Sequence, residues 1–252
     1  MVQERSSKAV FVKAFLNAIQ HQATFDEDAT WSKHGLLNVA GYAELREWHW
    51  PRDFRFKEEF YTLDEDPDSV VNAVAAYGPL ETGSHLISAF HADTTCTIKA
   101  YEQLGYQHCF TKRLLCKHLD DGDVISDHPV VQFRSVDDAD FGEIDKSERP
   151  VNWAMAADHT THHFCVCIDG KAVSWGMVVT SNPSIAYVGQ MFTLPTFRRR
   201  GYGAAVLSHM HTHSRETRSR AMILMPSYET VDWYPKFGYE PVAECVILCP
   251  QE

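Results

Sequence analysis

The sequence lacks an apolar stretch long enough to cross a membrane, which takes about 20 consecutive helical residues. Its most apolar N-terminal run, residues 9–16, is interrupted by Lys13. A secretory signal needs a longer apolar centre followed by a cleavage site of small residues. We therefore expect no membrane partner, and we predict that the N-terminal run forms an amphipathic helix.

Cysteine is present, but not in the patterns typical of cross-links or metal sites. The seven cysteines are odd in number and form no Cys-x-x-Cys pair. Cys165 and Cys167 alternate along a predicted strand, so both are expected on the same face as packing residues. The cysteines argue against a disulfide scaffold and favour a reducing, cytoplasmic location.

An excess of positive charge is also missing. The chain has 23 Lys and Arg residues against 34 Asp and Glu residues, a net charge of −11. Nonspecific nucleic-acid binding requires clustered cations, so we expect no nucleic-acid partner. The acidic balance is compatible with a cationic substrate such as an amine.

One segment does cluster positive charge, the sequence Arg-Arg-Arg-Gly-Tyr-Gly at residues 198–203. It follows a predicted strand at residues 186–194 and precedes a predicted helix from about residue 202 to residue 218. Its two glycines allow a ligand to approach the backbone closely. The first N–H groups of the helix are unpaired and favour an anion. The pattern predicts a pyrophosphate-binding cradle.

A second motif follows after one further predicted strand, at residues 220–227. Residues 230–237 predict a short helix that Gly238 ends as a C-terminal cap. The motif itself is Tyr-Pro-Lys-Phe-Gly-Tyr, from Tyr234 to Tyr239.

Together the Arg-x-x-Gly-x-Gly and Tyr-x-Lys-x-Gly-aromatic sequences resemble the acyl-CoA-binding signature of the GNAT superfamily of N-acetyltransferases. The resemblance covers residues from about Pro129 to the C-terminus. It implies an α/β (α+β) fold with a mixed, twisted sheet flanked by helices. It also implies acetyl-CoA as the acyl-donor co-substrate, without a metal. The residues independently predict strands at 130–133, 163–168, 172–179 and 242–249, with a hairpin turn at Asp169-Gly170.

The first half of the chain repeats the second motif as Tyr-Glu-Gln-Leu-Gly-Tyr at residues 101–106, between predicted strands at 86–90 and 109–115. We therefore predict two GNAT-like domains, residues 1–125 and 126–252, joined by an acidic linker at residues 120–123. Aligning the repeats places the acidic residues 64–68 where the cradle should be, so the first domain is expected to be degenerate and without CoA. Its expected role is to complete the sheet, close the acceptor pocket or mediate a homodimer.

The resemblance also implies which residues contact the cofactor. The backbone of Met191 and Thr193 is expected to pair with the pantetheine amides. An N–H group in that region, such as that of Phe192, is expected to polarise the thioester carbonyl. Ser227 stands where many family members have asparagine. The predicted cofactor-binding residues are Met191, Phe192, Thr193, Arg198, Arg199, Arg200, Gly201, Tyr202, Gly203, Ala204 and Ser227.

The predicted catalytic residue is Tyr234, which matches the tyrosine that many family members use to protonate the departing thiolate. The alternative is that this tyrosine only packs against the cofactor. No base is evident, because the strand before the cradle offers Tyr187, Gly189 and Gln190. The alternatives are a water chain, an amine that arrives neutral, or one of Glu143, Asp158, His159, His162 and His163.

His209 and His213 share a helical face at a spacing that can bind zinc, but no glutamate accompanies them in the required place, so no metal is expected.

The predicted function is transfer of an acetyl group from acetyl-CoA to a primary amine of a small molecule. Two alternatives stay open. One is acylation of an amino acid, as in the glycine N-acyltransferase-like proteins that the tandem arrangement resembles. The other is a non-catalytic module that binds or senses acyl-CoA.

Overall fold

The computed structural model describes residues 2–48, 54–78, 80, 85–91, 93–119 and 128–251. The predicted linker at residues 120–123 lies outside the described residues. The α-helices are α1 (Val2–Ala23), α2 (Pro67–Tyr77), α3 (Thr94–Gln103), α4 (Trp153–Ala156) and α5 (Tyr202–Glu216). Short 3₁₀ helices cover Val136–Asp138, Pro195–Phe197 and Tyr234–Phe237.

The strands are β1 (Ala29–His34), β2 (Leu37–Trp48), β3 (Phe54–Thr62), β4 (His85–Ala89), β5 (Tyr106–His118), β6 (Val131–Phe133), β7 (Thr161–Ile168), β8 (Lys171–Val179), β9 (Ile185–Thr193), β10 (Ala221–Leu224) and β11 (Glu240–Pro250).

The described residues form two compact units that interleave along the chain. The first comprises Met1–Lys13, Ile19–Leu115 and Met225–Glu252, and the second comprises Ala14–Ala18 and Cys116–Leu224. Residues 225–252 therefore group with the first half of the chain, and not with the cradle. The division into domains at residues 1–125 and 126–252 is predicted from the repeated sequence motif, and it stays a prediction.

The sheet of the first unit has the strand order β1-β2-β3-β4-β11-β5. β1, β2 and β3 are antiparallel, β3 and β4 are parallel, and β4 and β11 are antiparallel, so the sheet is mixed. Every residue of β4 is buried, as expected of a strand with neighbours on both sides. The core around it contains fully buried residues from the strands and from α2 and α3, among them Phe60, Ile87, Tyr101 and Leu248.

The strands of the second unit have the order β10-β9-β8-β7-β6. β6 to β9 are antiparallel and β9 and β10 are parallel. The β7–β8 hairpin turns at Asp169 and Gly170, which have φ values of 50° and 79°. This is the left-handed pair that a two-residue hairpin requires, and the predicted turn is confirmed. In each unit, parallel and antiparallel strand pairs flanked by helices confirm the predicted mixed α/β fold class.

The two halves of the chain repeat one order of elements. β3, α2, β4, α3 and β5 in the first half correspond to β9, α5, β10, the 3₁₀ helix Tyr234–Phe237 and β11 in the second. In each half a left-handed glycine precedes the closing strand, Gly105 with φ 85° and Gly238 with φ 82°. The predicted internal repeat is confirmed by this order.

The closing strands depart from the simple picture of two self-contained repeats. β11, which ends the second repeat, pairs with β4 inside the first unit. Residues 116–118 at the end of β5 belong to the second unit. There the N–H of Leu119 donates to the carbonyl of Arg220, next to β10, at 2.9 Å. Each unit therefore contains a part of the other repeat.

The helix predicted at residues 230–237 is shorter than expected. Only Tyr234–Phe237 are helical, as a 3₁₀ turn. Pro235 lacks an N–H group and therefore suits a first turn better than a helix interior. Gly238 ends the turn in the left-handed conformation, so its predicted capping role is confirmed.

Gly176 on β8 lies against side chains of α5 and of the neighbouring strand β9. A Cβ atom at this position would lie 2.5 Å from Met191 Sδ, 3.3 Å from Val206 Cγ1 and 3.4 Å from Met210 Cε. The space above Gly176 is therefore already filled by side chains from β9 and α5.

We predict that Gly176→Ala lowers the free energy of unfolding by ~1–3 kcal/mol, because the added methyl group overpacks this contact. Urea unfolding measures the change. The double variant with Met191→Ala is the control, since removing the thioether should recover most of the loss. An equal loss in both backgrounds would show that the contact with Met191 is not the cause.

Candidate functional site

β9 and β10 separate at the end where β9 approaches the cradle. Their register covers only Ile185 to Tyr187 on β9, and β9 continues to Thr193. Beyond Tyr187, the strand pairs that the described residues form with β9 are on β8. The backbone of residues 188–193 is therefore unpaired on the side of β10 in this part of the chain, where an extended amide chain could pair as a further strand.

The same stretch of β9 contains a β-bulge. Met177 pairs with Gly189 and Trp175 with Phe192, so that Gln190 and Met191 together face Gly176. Gln190 has a φ of 54°, which is rare for a residue with a side chain. Bulges of this kind redirect the backbone groups of one strand and often lie next to functional sites. The sequence carried no signal for this bulge.

The cradle is a tight connection between β9 and α5. The N–H of Leu194 still donates to Val173 on β8 at 2.9 Å, and the turn Pro195–Phe197 follows. Arg199 with φ 63° and Gly201 with φ 86° then reverse the chain into α5. The left-handed φ at Gly201 gives a physical reason for glycine at this position.

The N-terminus of α5 offers unpaired donors. The first intrahelical bond joins the N–H of Ala205 to the carbonyl of Gly201 at 3.0 Å. The N–H groups of Tyr202, Gly203 and Ala204 precede it and have no acceptor within the helix. Among the described residues, no side chain caps this terminus. Three donors and the positive end of the helix dipole therefore converge where an anion would bind.

The three arginines of the cradle differ in their surroundings. Arg198 donates from Nε to the carbonyl of Thr193 at 3.0 Å, and its Nη2 lies 3.8 Å from Glu148 Oε1. It thereby fastens the end of β9 to the turn. Arg199 and Arg200 are exposed, and the Arg200 guanidinium lies 5.5 Å from the ring centroid of Phe197. Arg199 and Arg200 are the arginines better placed to meet a diphosphate.

His128 also belongs to the cradle, although sequence reasoning missed it. Its Nε2 donates to the carbonyl of Arg200 at 3.1 Å, and its ring meets that of Tyr202 edge-on at 4.8 Å. A Cβ atom on Gly201 would lie only 3.3 Å from this Nε2. Because a single histidine before a strand has no motif around it, no sequence signal could have found it.

The candidate bases lie in two environments. His163 is 1% exposed and stacks on Trp175 at 5.7 Å, beside Phe133. Neither ring nitrogen has a hydrogen-bond partner among the described residues, and burial lowers the pKa of His163 to about 4. Burial and the neighbouring His213 lower the pKa of His162 to about 4, and its Nε2 lies 3.2 Å from Thr180 Oγ1. Both imidazoles are neutral at pH 7.

The other candidate bases are more exposed or already engaged. Glu143 and His159 are exposed. Asp158 accepts from the N–H and the hydroxyl of Thr160 at 2.8 Å and 2.6 Å. Tyr187 on β9 is buried, and burial raises its pKa to about 12, so it is protonated at neutral pH and cannot accept a proton. The identity of the base stays open between the alternatives given above.

His209 and His213 on α5 contact other rings. Their ring centroids lie 5.0 Å and 5.2 Å from that of Phe164, and His213 also lies 4.3 Å from His162. Among the described residues, no group of three His, Cys, Asp or Glu side chains is arranged to hold a metal ion. Nor does any described helix combine the length and the apolar character that crossing a membrane would take.

Two predicted site residues lie in the first unit. Tyr234 is buried, with edge contacts to the rings of Trp233 at 4.9 Å and Tyr239 at 5.7 Å. Ser227 is exposed, with its hydroxyl 2.9 Å from that of Thr230. The second unit therefore brings together the predicted residues from Met191 to Ala204. Contacts of Ser227 and Tyr234 with the cofactor stay predictions.

The corresponding junction of the first unit is acidic. α2 begins at Pro67, which has no N–H group, and Asp66 precedes it as the cap. The Asp66 carboxylate accepts from Ser69, and the Asp64 carboxylate accepts from the N–H of Asp66 at 2.9 Å. This terminus has fewer free donors and carries negative charge, which opposes a diphosphate. That the first domain lacks CoA stays a prediction.

Residues 130–239 match the model of the acetyltransferase (GNAT) family. The comparison with curated protein sequences found no match. A GCN5-related N-acetyltransferase from Kribbella flavida has a similar structure, with a TM-score of 0.64 and 18% identity over 92% of this chain and 93% of that chain. A GCN5-related N-acetyltransferase from Sphaerobacter thermophilus has a TM-score of 0.58 and 12% identity, over 86% of this chain and 78% of its own.

A tandem GNAT protein from the clavulanic acid biosynthesis pathway is similar as well, with a TM-score of 0.52 and 12% identity over 88% of this chain and 83% of that chain. At these identities the solved structures establish the fold. The family match covers the repeat with the cradle, and the shared fold extends over both repeats. The resemblance of residues 130–239 to the GNAT superfamily is thereby confirmed, and the tandem arrangement is shared with these structures as a fold. Family match and fold together support acyl transfer from an acyl-CoA to an amine.

We predict that the free energy of unfolding falls as the pH drops from 6.5 to 4, because His163 is neutral in the folded state and gains a proton on unfolding. For a histidine whose pKa is lower in the folded than in the unfolded state, the contribution to stability is fully present at pH values above the pKa of the unfolded state. It is lost as the pH falls toward the pKa of the folded state. One such histidine gives a slope of up to about 1.4 kcal/mol per pH unit. Urea unfolding between pH 4 and 7 measures it.

In this series His163→Phe should reduce the slope, and the exposed His159→Gln serves as the control that leaves it unchanged. A slope that is the same in the wild type and in His163→Phe would contradict the assignment.

Proposed function

We propose that this protein is an N-acyltransferase that moves an acetyl group from acetyl-CoA to a primary amine of a small molecule. The observation that carries the proposal is the uncapped N-terminus of α5, reached through a left-handed glycine at the end of a strand that has left its parallel neighbour. Its donors suit a diphosphate, and the adjacent strand edge suits the amides of pantetheine.

In this proposal each part of the second unit binds one part of acetyl-CoA. The N–H groups of residues 202–204 and the exposed guanidinium groups of Arg199 and Arg200 bind the diphosphate. The backbone of Met191 and Thr193 pairs with pantetheine. An N–H group of the bulged stretch, such as that of Phe192, donates to the thioester oxygen as negative charge develops there.

The chemical step is direct attack. The nitrogen of the amine forms a bond to the thioester carbon, and the carbon–sulfur bond then breaks. The departing thiolate takes a proton from the phenol of Tyr234. The support for this role is that Tyr234 matches the tyrosine of the GNAT signature. The nitrogen gives up its extra proton to water or to one of the candidate bases, and the Tyr234 phenolate takes a proton back from the solvent, so that the net reaction converts amine and thioester into amide and thiol.

We predict that the double variant Arg199→Ala/Arg200→Ala weakens CoA binding by at least about tenfold, since a hydrogen bond to a charged group contributes roughly 1.5–3 kcal/mol. Titration calorimetry with CoA, and with acetylpantetheine that lacks the diphosphate, measures the effect. Acetylpantetheine binding should change little, and Lys171→Ala, which removes an exposed charge on the β7–β8 hairpin, is the control. Unchanged CoA affinity would show that the cradle is misassigned.

Arg198→Ala should behave differently from that double variant. Because Arg198 holds the end of β9 through Thr193, its loss is expected to weaken CoA and acetylpantetheine alike. A loss confined to CoA would instead make Arg198 a diphosphate ligand.

We predict that Tyr234→Phe lowers turnover by about a hundredfold or more, the low end of what general acid catalysis contributes. The dissociation constant of acetyl-CoA should stay within a factor of about two, because the phenyl ring keeps its contacts with Trp233 and Tyr239. Thiol release and calorimetry measure the two quantities, with the exposed Tyr228→Phe as the matched control. Equal turnover at all pH values would remove Tyr234 as the acid.

The function as a whole is tested by thiol release from acetyl-CoA with a panel of small amines, amino acids, polyamines and peptides. Release with small amines supports the proposal, and release with amino acids alone supports the amino-acid acylation alternative. If acetyl-CoA binds and no member of the panel releases thiol, the sensor alternative replaces the enzyme.

A further inference from the structure

The first unit contains two cysteines whose sulfur atoms are in direct contact. Cys109 lies on β5 and Cys249 on β11, which are neighbouring strands of the same sheet. Their Sγ atoms are 3.0 Å apart. The bond length of a disulfide is about 2.05 Å, so an approach of about 1 Å would join them.

Hydrogen bonds next to the pair fix its register. They join Gln107 Nε2 to the carbonyl of Pro250 at 3.0 Å, the N–H of Gln251 to the carbonyl of Gly105 at 2.8 Å, and Gln251 Nε2 to the carbonyl of Tyr106 at 2.9 Å. Residues rise along β5 as they fall along β11, so with Gly105 opposite Gln251 the residue opposite Cys109 is Ile247, and Cys249 is the diagonal neighbour of Cys109 on the same face of the sheet. The closeness of the sulfur atoms is therefore built into the strand pairing.

We propose that Cys109 and Cys249 are a modification site that forms a disulfide on reaction with a low-molecular-weight disulfide such as oxidised glutathione. Cys109 is half-buried and Cys249 is buried, so Cys109 is the sulfur that the oxidant reaches. The other five cysteines stay reduced under the same conditions.

The reaction proceeds by two thiol–disulfide exchanges. The Cys109 thiolate attacks one sulfur of the small disulfide, whose S–S bond breaks to release one thiol. The Cys249 thiolate then attacks Cys109 Sγ and releases the second thiol. Two protein sulfurs are oxidised, the small disulfide is reduced to two thiols, and the two protons of the protein thiols end on these products.

The surroundings of the other cysteines make them slower to react with a small disulfide. Cys165 and Cys167 are 3.7 Å apart at Sγ, but they lie two residues apart on one strand, and burial raises the pKa of the Cys165 thiol. Burial also raises the pKa of Cys245, and Cys116 is buried. Cys96 is exposed, but its nearby group is the Asp93 carboxylate, which raises its pKa. A thiol with a raised pKa is a poor attacking group at neutral pH.

The disulfide would fasten the C-terminal strand of the chain to β5 and close a long loop. Cross-linking a long loop stabilises the folded state chiefly by restricting the unfolded chain. This inference does not rest on the proposed acyl transfer. It is also consistent with the prediction that the fold is not a disulfide scaffold. The bond would form reversibly between two strands that are already paired, so folding does not require it.

The test uses the full-length protein incubated with oxidised glutathione and then alkylated. We expect the count of free thiols to fall from seven to five, and tryptic peptide mapping to find residues 109 and 249 in one cross-linked pair. The Tm of the oxidised protein should exceed that of the reduced protein by at least about 4 °C. Dithiothreitol should reverse both changes.

Cys109→Ser and Cys249→Ser should each abolish the cross-link and the Tm difference. If Cys249→Ser does not fold, Cys109→Ser alone is sufficient for the test, because Cys109 is only half-buried. Cys165→Ser/Cys167→Ser is the control that keeps both. A mixed disulfide that persists at Cys109, a cross-link between other cysteines, or seven free thiols after oxidation would each overturn the proposal.

Discussion

The arrangement of the second unit depends on the separation of two parallel strands. β9 and β10 pair only over Ile185 to Tyr187, after which β9 bulges at Gln190 and runs on to the cradle. When a strand diverges from its neighbour, the backbone N–H and C=O groups on that side must form hydrogen bonds with other groups or with water. Here the same divergence places that edge next to the first N–H groups of α5, which have no acceptor within the helix. In the proposed function, this one divergence accounts for both the slot for an extended amide chain and the site for an anion.

The two halves of the chain keep one order of elements but differ in charge at the corresponding strand-to-helix connection. Both halves have a strand, a connection, a helix, a parallel strand and a left-handed glycine before the closing strand. In the second half the connection offers Arg199, Arg200 and uncapped N–H groups. In the first, Asp66 and Pro67 replace them. Hydrophobic periodicity and glycine conformation maintain the fold in both copies, whereas the charge at the helix N-terminus decides which copy can attract an anion.

The exchange of the closing strands gives the tandem arrangement a structural reason. β11 pairs with β4 in the first unit, and the end of β5 belongs to the second. Neither unit is therefore built from one half of the sequence alone. The segment with Ser227 and Tyr234 leads into β11, so these residues group with the first unit although the sequence places them after the cradle. The first half of the chain thus supplies β4, the strand on which the C-terminal strand β11 pairs.

The features that the sequence alone predicted are those that depend on the conformational preferences of a few neighbouring residues. The hairpin at Asp169-Gly170, the helix after Gly201 and the cap at Gly238 depend on φ values that few residues adopt, and such preferences act over a few residues. The same holds for the arginines and glycines of the cradle. Only the tertiary structure decided that His128 meets Arg200, that β11 pairs with β4, and that Cys109 meets Cys249. These residues are distant in the chain, and a local pattern carries no information about which distant strand or loop becomes a neighbour, because packing of the whole core selects it.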